Sequence, residues 1–121
     1  MAEQKSNQSK AISNYTEAIR LNPLDTYFRN RGFAHYSLNQ HDRAISDFDE
    51  VLRLDAQNVT VLYYRGLSHY YRNDYNRAVI DFDEVFRLDP SNKFAEQWRD
   101  YISGLLDSNI SKPTPTAVPT A

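Results

Sequence analysis

Apolar residues along this chain fall at helical steps, and the steps then recur as a block. Ala44, Phe48, Val51 and Leu54 are spaced by four, three and three, which lines one side of an α-helix, and Ala78, Phe82, Val85 and Leu88 repeat that spacing. Upstream, Phe28, Gly32 and His35, and again Leu62, Gly66 and His69, step by four and three. They predict a preceding helix whose stripe faces the first. Asn39 and Asn73 stand where that preceding helix ends, and after glycine the residue that best tolerates the left-handed turn needed there is asparagine. Each segment reads as an antiparallel helix hairpin.

The two hairpins are one stretch written twice. Asp25–Asn58 overlies Val59–Asn92 at an offset of 34 without a gap, with identity at 17 of the 34 positions. A period of that length marks stacked units, each too small to bury its own apolar face. Gly32 and Gly66 on the first helices, opposite Ala44 and Ala78 on the second, let the axes approach closely. Glycine costs about 1 kcal/mol inside a helix, so two at equivalent positions point to a packing need.

The flanks extend the pattern incompletely. Ala11, Tyr15, Ala18 and Leu21 repeat the four-three-three spacing at an offset of 33, so residues 5–21 read as the second helix of an earlier unit, closed by Asn22-Pro23. Without a first helix of its own, one flank of Ala11, Tyr15 and Ala18 is expected to be less covered. Packing on the next helix and self-association through this helix are the two ways of covering it. Residues 93–107 begin a further helix that Ser91 or Asn92 can cap, with Phe94, Trp98, Tyr101, Ile102, Leu105 and Leu106 on its apolar side. It reads as a capping helix. Residues 108–121 carry three prolines among Thr and Ala and are expected to be an extended tail or linker. Asn109-Ile110-Ser111 has the form of a glycosylation sequon, a motif frequent by chance.

Gly32, Ala34, Tyr36, Ala44, Phe48 and Leu54, with Gly66, Tyr70, Ala78, Phe82, Leu88 and Pro90, carry a close resemblance to the tetratricopeptide repeat family over residues 5–107. His35 and His69 stand where that family often has Tyr, Arg31 and Arg65 where Leu is common, and Ala56 where a Pro closes the unit, which is expected to loosen that turn. The resemblance implies an all-α, right-handed solenoid of helix hairpins spanning residues 1–107. It would hold a half repeat (5–21), two full repeats (25–58 and 59–92) and a capping helix (93–107), followed by the tail 108–121. It also implies a concave groove, lined by the first helices, that takes a peptide or a partner segment. On this chain the groove falls to Thr26, Arg29, Asn30, Phe33, Tyr36, Tyr63, Tyr64, Leu67, Tyr71 and Phe94. Tyr suits recognition because it offers rigid area and a hydroxyl at low entropic cost. Tyr70 is expected to pack between units. The Lys/Asn/Arg set that grips a C-terminal carboxylate in chaperone-binding members is missing, Arg29 being the one strong cation of the inner stripe.

Composition narrows the remaining chemistry. A length of 121 residues with 40% hydrophobic and 25% charged content suits one globular domain, and a formal net charge of −2 gives no broad basic field for nucleic acid or an anionic membrane. No cysteine is present, and no apolar run is long enough to span a bilayer. His35 and His69 lie one repeat apart, on the order of 10 Å, too far to share a metal held at about 2 Å by each. His41 lies in a turn without a partner at helical spacing. Asp47, Asp49, Glu50 and their counterparts Asp81, Asp83, Glu84 are expected on a solvated outer face, with Asp49/Arg53 and Asp83/Arg87 as pairs four apart. Arg31 and Arg65 are placed for cross-helix pairs to Asp47 and Asp81. No phosphate loop, activated nucleophile or convergent carboxylate pair occurs, so neither an enzyme nor a cofactor or metal site is expected. The expected function is a protein-interaction module, with a self-assembly segment as the alternative.

Overall fold

The computed structural model of the chain describes residues 2–107; the tail 108–121 and its Asn-Ile-Ser motif lie outside the described residues. Six helices follow one another: α1 (Ala2–Leu21), α2 (Asp25–Ser37), α3 (His41–Leu54), α4 (Val59–Tyr71), α5 (Tyr75–Leu88) and α6 (Lys93–Leu106). No strand occurs among the described residues. Each helix packs against the next, and α2 also touches α4, so the first helices of the hairpins form one layer and the second helices another. The architecture is an α-solenoid.

Local chemistry sets the helix ends. Asn39 and Asn73 have φ of 59° and 63°, the left-handed conformation that turns the chain out of α2 and α4. The amides of Gln40 and Asp74 then donate back to the carbonyls of His35 and His69 at 2.9 and 2.8 Å. Asn58 and Asn92 cap α4 and α6, their Oδ1 atoms accepting from the amides of Val61 and Ala95 at 3.1 and 3.0 Å. The turn at Ala56 keeps the backbone hydrogen bond of the turn that has proline. Asn58 N donates to Asp55 O at 3.2 Å, as Asn92 N does to Asp89 O at 3.0 Å in the turn that has Pro90. The same backbone hydrogen bond closes both turns.

The core follows the apolar stripes, with one exception. Ala44, Phe48 and Val51 and their counterparts Ala78, Phe82 and Val85 are completely buried, but Leu54, fourth in its stripe, is 53% exposed. It is the last residue of α3; its counterpart Leu88, last in α5, is half-buried against the core. A Cβ on Gly32 would lie 2.6 Å from Phe48 Cε1, and one on Gly66 would lie 3.1 Å from Phe82 Cζ, so the glycines let these rings seat against the first helices. On α6 the place of these glycines, 34 residues on, is taken by the exposed Asp100. At the other end α1 begins at Ala2, earlier than the predicted residue 5, and packs on α2. Its Ala11, Tyr15 and Ala18 are half-buried, where the equivalent Ala44, Phe48 and Val51 are fully buried.

Candidate functional site

The first-helix layer does not present all the residues that the sequence assigns to it. On α2, Thr26 is exposed and Arg29, Asn30, Phe33 and Tyr36 are half-buried; on α6, Phe94 is half-buried; on α4, Tyr71 is 49% exposed. Tyr63, Tyr64 and Leu67, by contrast, are 2%, 5% and 0% exposed. Their assignment to ligand contact is corrected to packing. α4 is the central helix, with α2, α3 and α5 against it, and its inner side chains are consumed by those neighbours. The Tyr64 ring lies 5.3 Å from Phe33 and 5.1 Å from Tyr36, both edge-on, and Tyr63 lies 5.4 Å from Phe82. Burial pushes the Tyr63, Tyr64 and Tyr36 phenols above their ordinary range. Tyr70 packs between units, its ring 5.1 Å from Trp98.

The outer face differs from its sequence reading as well. Asp47 and Asp81 are buried, each held by two hydrogen bonds from Arg31 or Arg65 of its own hairpin. The pairs four residues apart are absent: Arg53 pairs with Glu50 and Arg87 with Glu84, three residues away. Asp49 and Asp83 instead reach forward to Arg65 and Arg99 of the next first helix. Helix rotation turns these two acids toward the following unit, which periodicity within one helix cannot report.

The histidines are structural. His35 Nδ1 lies 2.7 Å from Gln40 Oε1. In the next unit Asp74 replaces Gln40 and accepts from the Arg77 amide at the start of α5, which leaves His69 Nδ1 buried without a hydrogen-bond partner. Burial holds the His69 pKa below its ordinary value. Among the described residues no group of three His, Cys, Asp or Glu side chains is placed to hold a metal ion, and no helix is long and apolar enough to cross a membrane.

Sequence reasoning missed the role of His41. It stacks on Tyr71 at 5.1 Å, meets Tyr36 edge-on at 5.3 Å, and its Nδ1 lies 3.2 Å from Ser68 Oγ. These partners sit 27 to 30 residues ahead or on the preceding helix, so no local spacing announces them. What the layer leaves open is a strip along α2, from Thr26 and Arg29 to Phe33 and Tyr36, bounded at Tyr36 by Tyr71, whose ring lies 6.5 Å away. No carboxylate among the described residues pairs with Arg29, whereas Arg31, Arg65, Arg72 and Arg99 all have one.

Residues 26–58 and 59–92 match the tetratricopeptide repeat family. A stretch of 46 residues is 41% identical to the Small glutamine-rich tetratricopeptide repeat-containing protein 2 of Saccharomyces cerevisiae; it makes up 37% of this chain and 13% of that protein's length. Among solved structures, the first TPR of Spaghetti (RPAP3) bound to the HSP90 peptide SRMEEVD superposes with a TM-score of 0.79 at 25% identity, over 85% of this chain and 82% of that one. The Arabidopsis OM64 TPR domain superposes with a TM-score of 0.75 at 31% identity, over 84% of each chain. The Sgt2 TPR domain from Aspergillus fumigatus, at 20% identity and a TM-score of 0.75, covers 99% of this chain and 83% of its own, and shares the fold.

Proposed function

The chain belongs to the tetratricopeptide repeat family, and on that footing we propose that it is a binding module, not an enzyme, that holds an extended protein segment along the open strip of α2. The unpaired Arg29 carries this reading. A half-buried arginine on the same strip as Phe33, with no ion pair to a carboxylate among the described residues, suits a segment that brings a carboxylate and an apolar residue. Tyr64 supports the strip from beneath, against Phe33 and Tyr36, and Tyr71 borders it at Tyr36. The solved neighbour that holds SRMEEVD, a peptide with three acidic residues, supports an acidic partner, although the cation set for a terminal carboxylate is missing here.

An array of extended acidic and neutral peptides, read by fluorescence anisotropy, tests the proposal. Preference for acidic members, weakened at least about tenfold in Arg29→Ala with an unchanged melting temperature, is the expected result. Acidic peptides held equally by wild type and Arg29→Ala would remove Arg29 from the role.

The second reading is self-assembly through α1, favoured by the half-buried Ala11, Tyr15 and Ala18. Sedimentation over a range of concentrations decides it. A single monomeric species throughout excludes this reading, and a mass that rises with concentration and falls back in Tyr15→Glu supports it.

A further inference from the structure

The layer of second helices carries cations that its own acids leave free. Lys10, Arg43 and Arg77 hold equivalent places on α1, α3 and α5, at offsets of 33 and 34, and all three are exposed. Arg31 joins Thr16 of α1 to Asp47 of α3 just as Arg65 joins Asp49 of α3 to Asp81 of α5, so α1 stands to α3 as α3 stands to α5. The cations therefore lie one repeat apart, on the order of 10 Å. Every carboxylate of α3 and α5 already has an arginine partner of its own. Lys10 and Arg43 pair with no carboxylate among the described residues, and Arg77 has only a long contact with Asp74 at 3.5 Å. Arg43 and Arg77 are the third residues of their helices, where the helix dipole opposes a cation, so helix formation does not select them.

Apolar surface adjoins the last of these cations. Ile45 of α3 and Ile80 of α5 line, together with Arg77 and His69, a hollow of about 260 Å³ between the two second helices. Ile80 is 65% exposed, and at the equivalent place α3 carries the exposed Ser46, so the stack does not require an isoleucine there. We propose that this outer layer is a second docking surface, and that its occupant is an extended acidic segment of a partner protein. Its carboxylates lie on Lys10, Arg43 and Arg77, and an aliphatic side chain enters the hollow beside Ile80. Charge and spacing both favour that occupant. A guanidinium without an internal acid takes a carboxylate in two parallel hydrogen bonds. In the polyproline II conformation that unfolded chains already populate, residues three apart lie on one side about 9 Å from each other, close to one repeat. A nucleic acid fits less well, because the hollow offers its bases aliphatic walls and not ring faces to stack on. The inference goes beyond the strip on α2 and does not depend on it, since the two surfaces belong to different layers.

The probe is a synthetic peptide with Asp at every third position and a single Leu beside the last Asp, titrated into the isotope-enriched full chain. The expected result in nuclear magnetic resonance is saturable shifts of the Ile45, Arg77 and Ile80 amides and the His69 ring, weakening as salt is raised. Affinity should fall at least about tenfold in Arg43→Ala/Arg77→Ala and about fivefold in Ile80→Ser, each with an unchanged melting temperature. Ile80→Ser installs only what α3 already carries at that place, so it decides the matter even where the double replacement disturbs folding. Arg29→Ala should leave this binding as it is, and Asn in place of each peptide Asp should abolish it. Shifts confined to Phe33 and Tyr36 that vanish in Arg29→Ala assign the peptide to the strip and overturn the proposal. So do the absence of saturable shifts at millimolar peptide and equal binding by wild type, Arg43→Ala/Arg77→Ala and Ile80→Ser. Tighter binding of oligothymidine at the same residues overturns it as well, because the occupant is then a nucleic acid.

Discussion

Arg65 grips the buried Asp81 with two parallel hydrogen bonds, from Nε at 2.9 Å and Nη2 at 2.7 Å, and extends Nη1 to Asp49 of the preceding hairpin at 2.9 Å. One guanidinium therefore joins three helices: its own α4, the α5 of its hairpin and the α3 before it. The motif has period 34. Arg31 holds Asp47 in the same way and reaches Thr16 of α1 at 3.1 Å, and Arg99 reaches back to Asp83 at 3.7 Å. Bidentate geometry and burial distinguish these pairs from the exposed ones.

Removing one partner strands the other. Arg65→Met leaves Asp81 as a buried, unpaired carboxylate and should cost about 3–5 kcal/mol in urea unfolding. Arg53→Met, whose guanidinium pairs with Glu50 at the surface, should leave the urea midpoint essentially unchanged. Recovery of most of the loss in Arg65→Met/Asp81→Leu would confirm that the stranded charge is the cause. Equal effects of the two single replacements would contradict it.

The two helix glycines should respond unequally. Gly32→Ala forces a Cβ within 2.6 Å of the fully buried Phe48 ring, which has nowhere to move, and should destabilise by about 1–3 kcal/mol. At Gly66 the nearest ring atom is 3.1 Å away, a shortfall of a few tenths of an ångström. Alanine is the better helix former by about 1 kcal/mol, so Gly66→Ala should come out near neutral. Thermal unfolding of the two variants side by side measures the difference.

Tyr64 and Tyr71 belong to one helix and should behave oppositely. Tyr64→Ala empties a site among Phe33, Tyr36 and Tyr63 and should cost about 3–5 kcal/mol. Tyr71→Ala removes a half-exposed ring and should cost about 1 kcal/mol or less. A binding defect in Tyr64→Ala is accordingly a folding defect until the melting temperature is known.

Mild acid should loosen the fold. Burial lowers the folded-state pKa of His69, which faces Asp81, Arg65, Asp74 and Arg77, and of His41, which faces Asp42. The unfolded chain takes up its protons near pH 6.5 while the folded chain resists until lower pH, so the unfolded state binds more protons in that window. Stability is complete above about pH 6.5 and declines as pH falls through the lowered values. Urea midpoints at pH 7.5 and 5.5 should show the drop, and His41→Gln/His69→Gln should flatten it. An unchanged slope in that variant would assign the drop elsewhere.

Helices, turns and stacking were legible from the residues alone. Apolar steps of four and three, an asparagine at each left-handed turn and a 34-residue echo are local or periodic signals, and each residue carries its own. Gly32 and Gly66 announced close helix approach, and Arg31 and Arg65 announced Asp47 and Asp81, because the same pairing is written twice. Which inner side chains remain open became visible once the helices were stacked. Arg29 and Tyr63 occupy equivalent positions, as do Asn30 and Tyr64, yet the α2 pair stands on the strip while the α4 pair is buried. Burial depends on how many neighbours surround a helix, a property of its place in the stack that no residue encodes alone. For the same reason Asp49 and Asp83 pair forward and His41 finds Ser68: contacts between units are set by the rotation of one hairpin on the next.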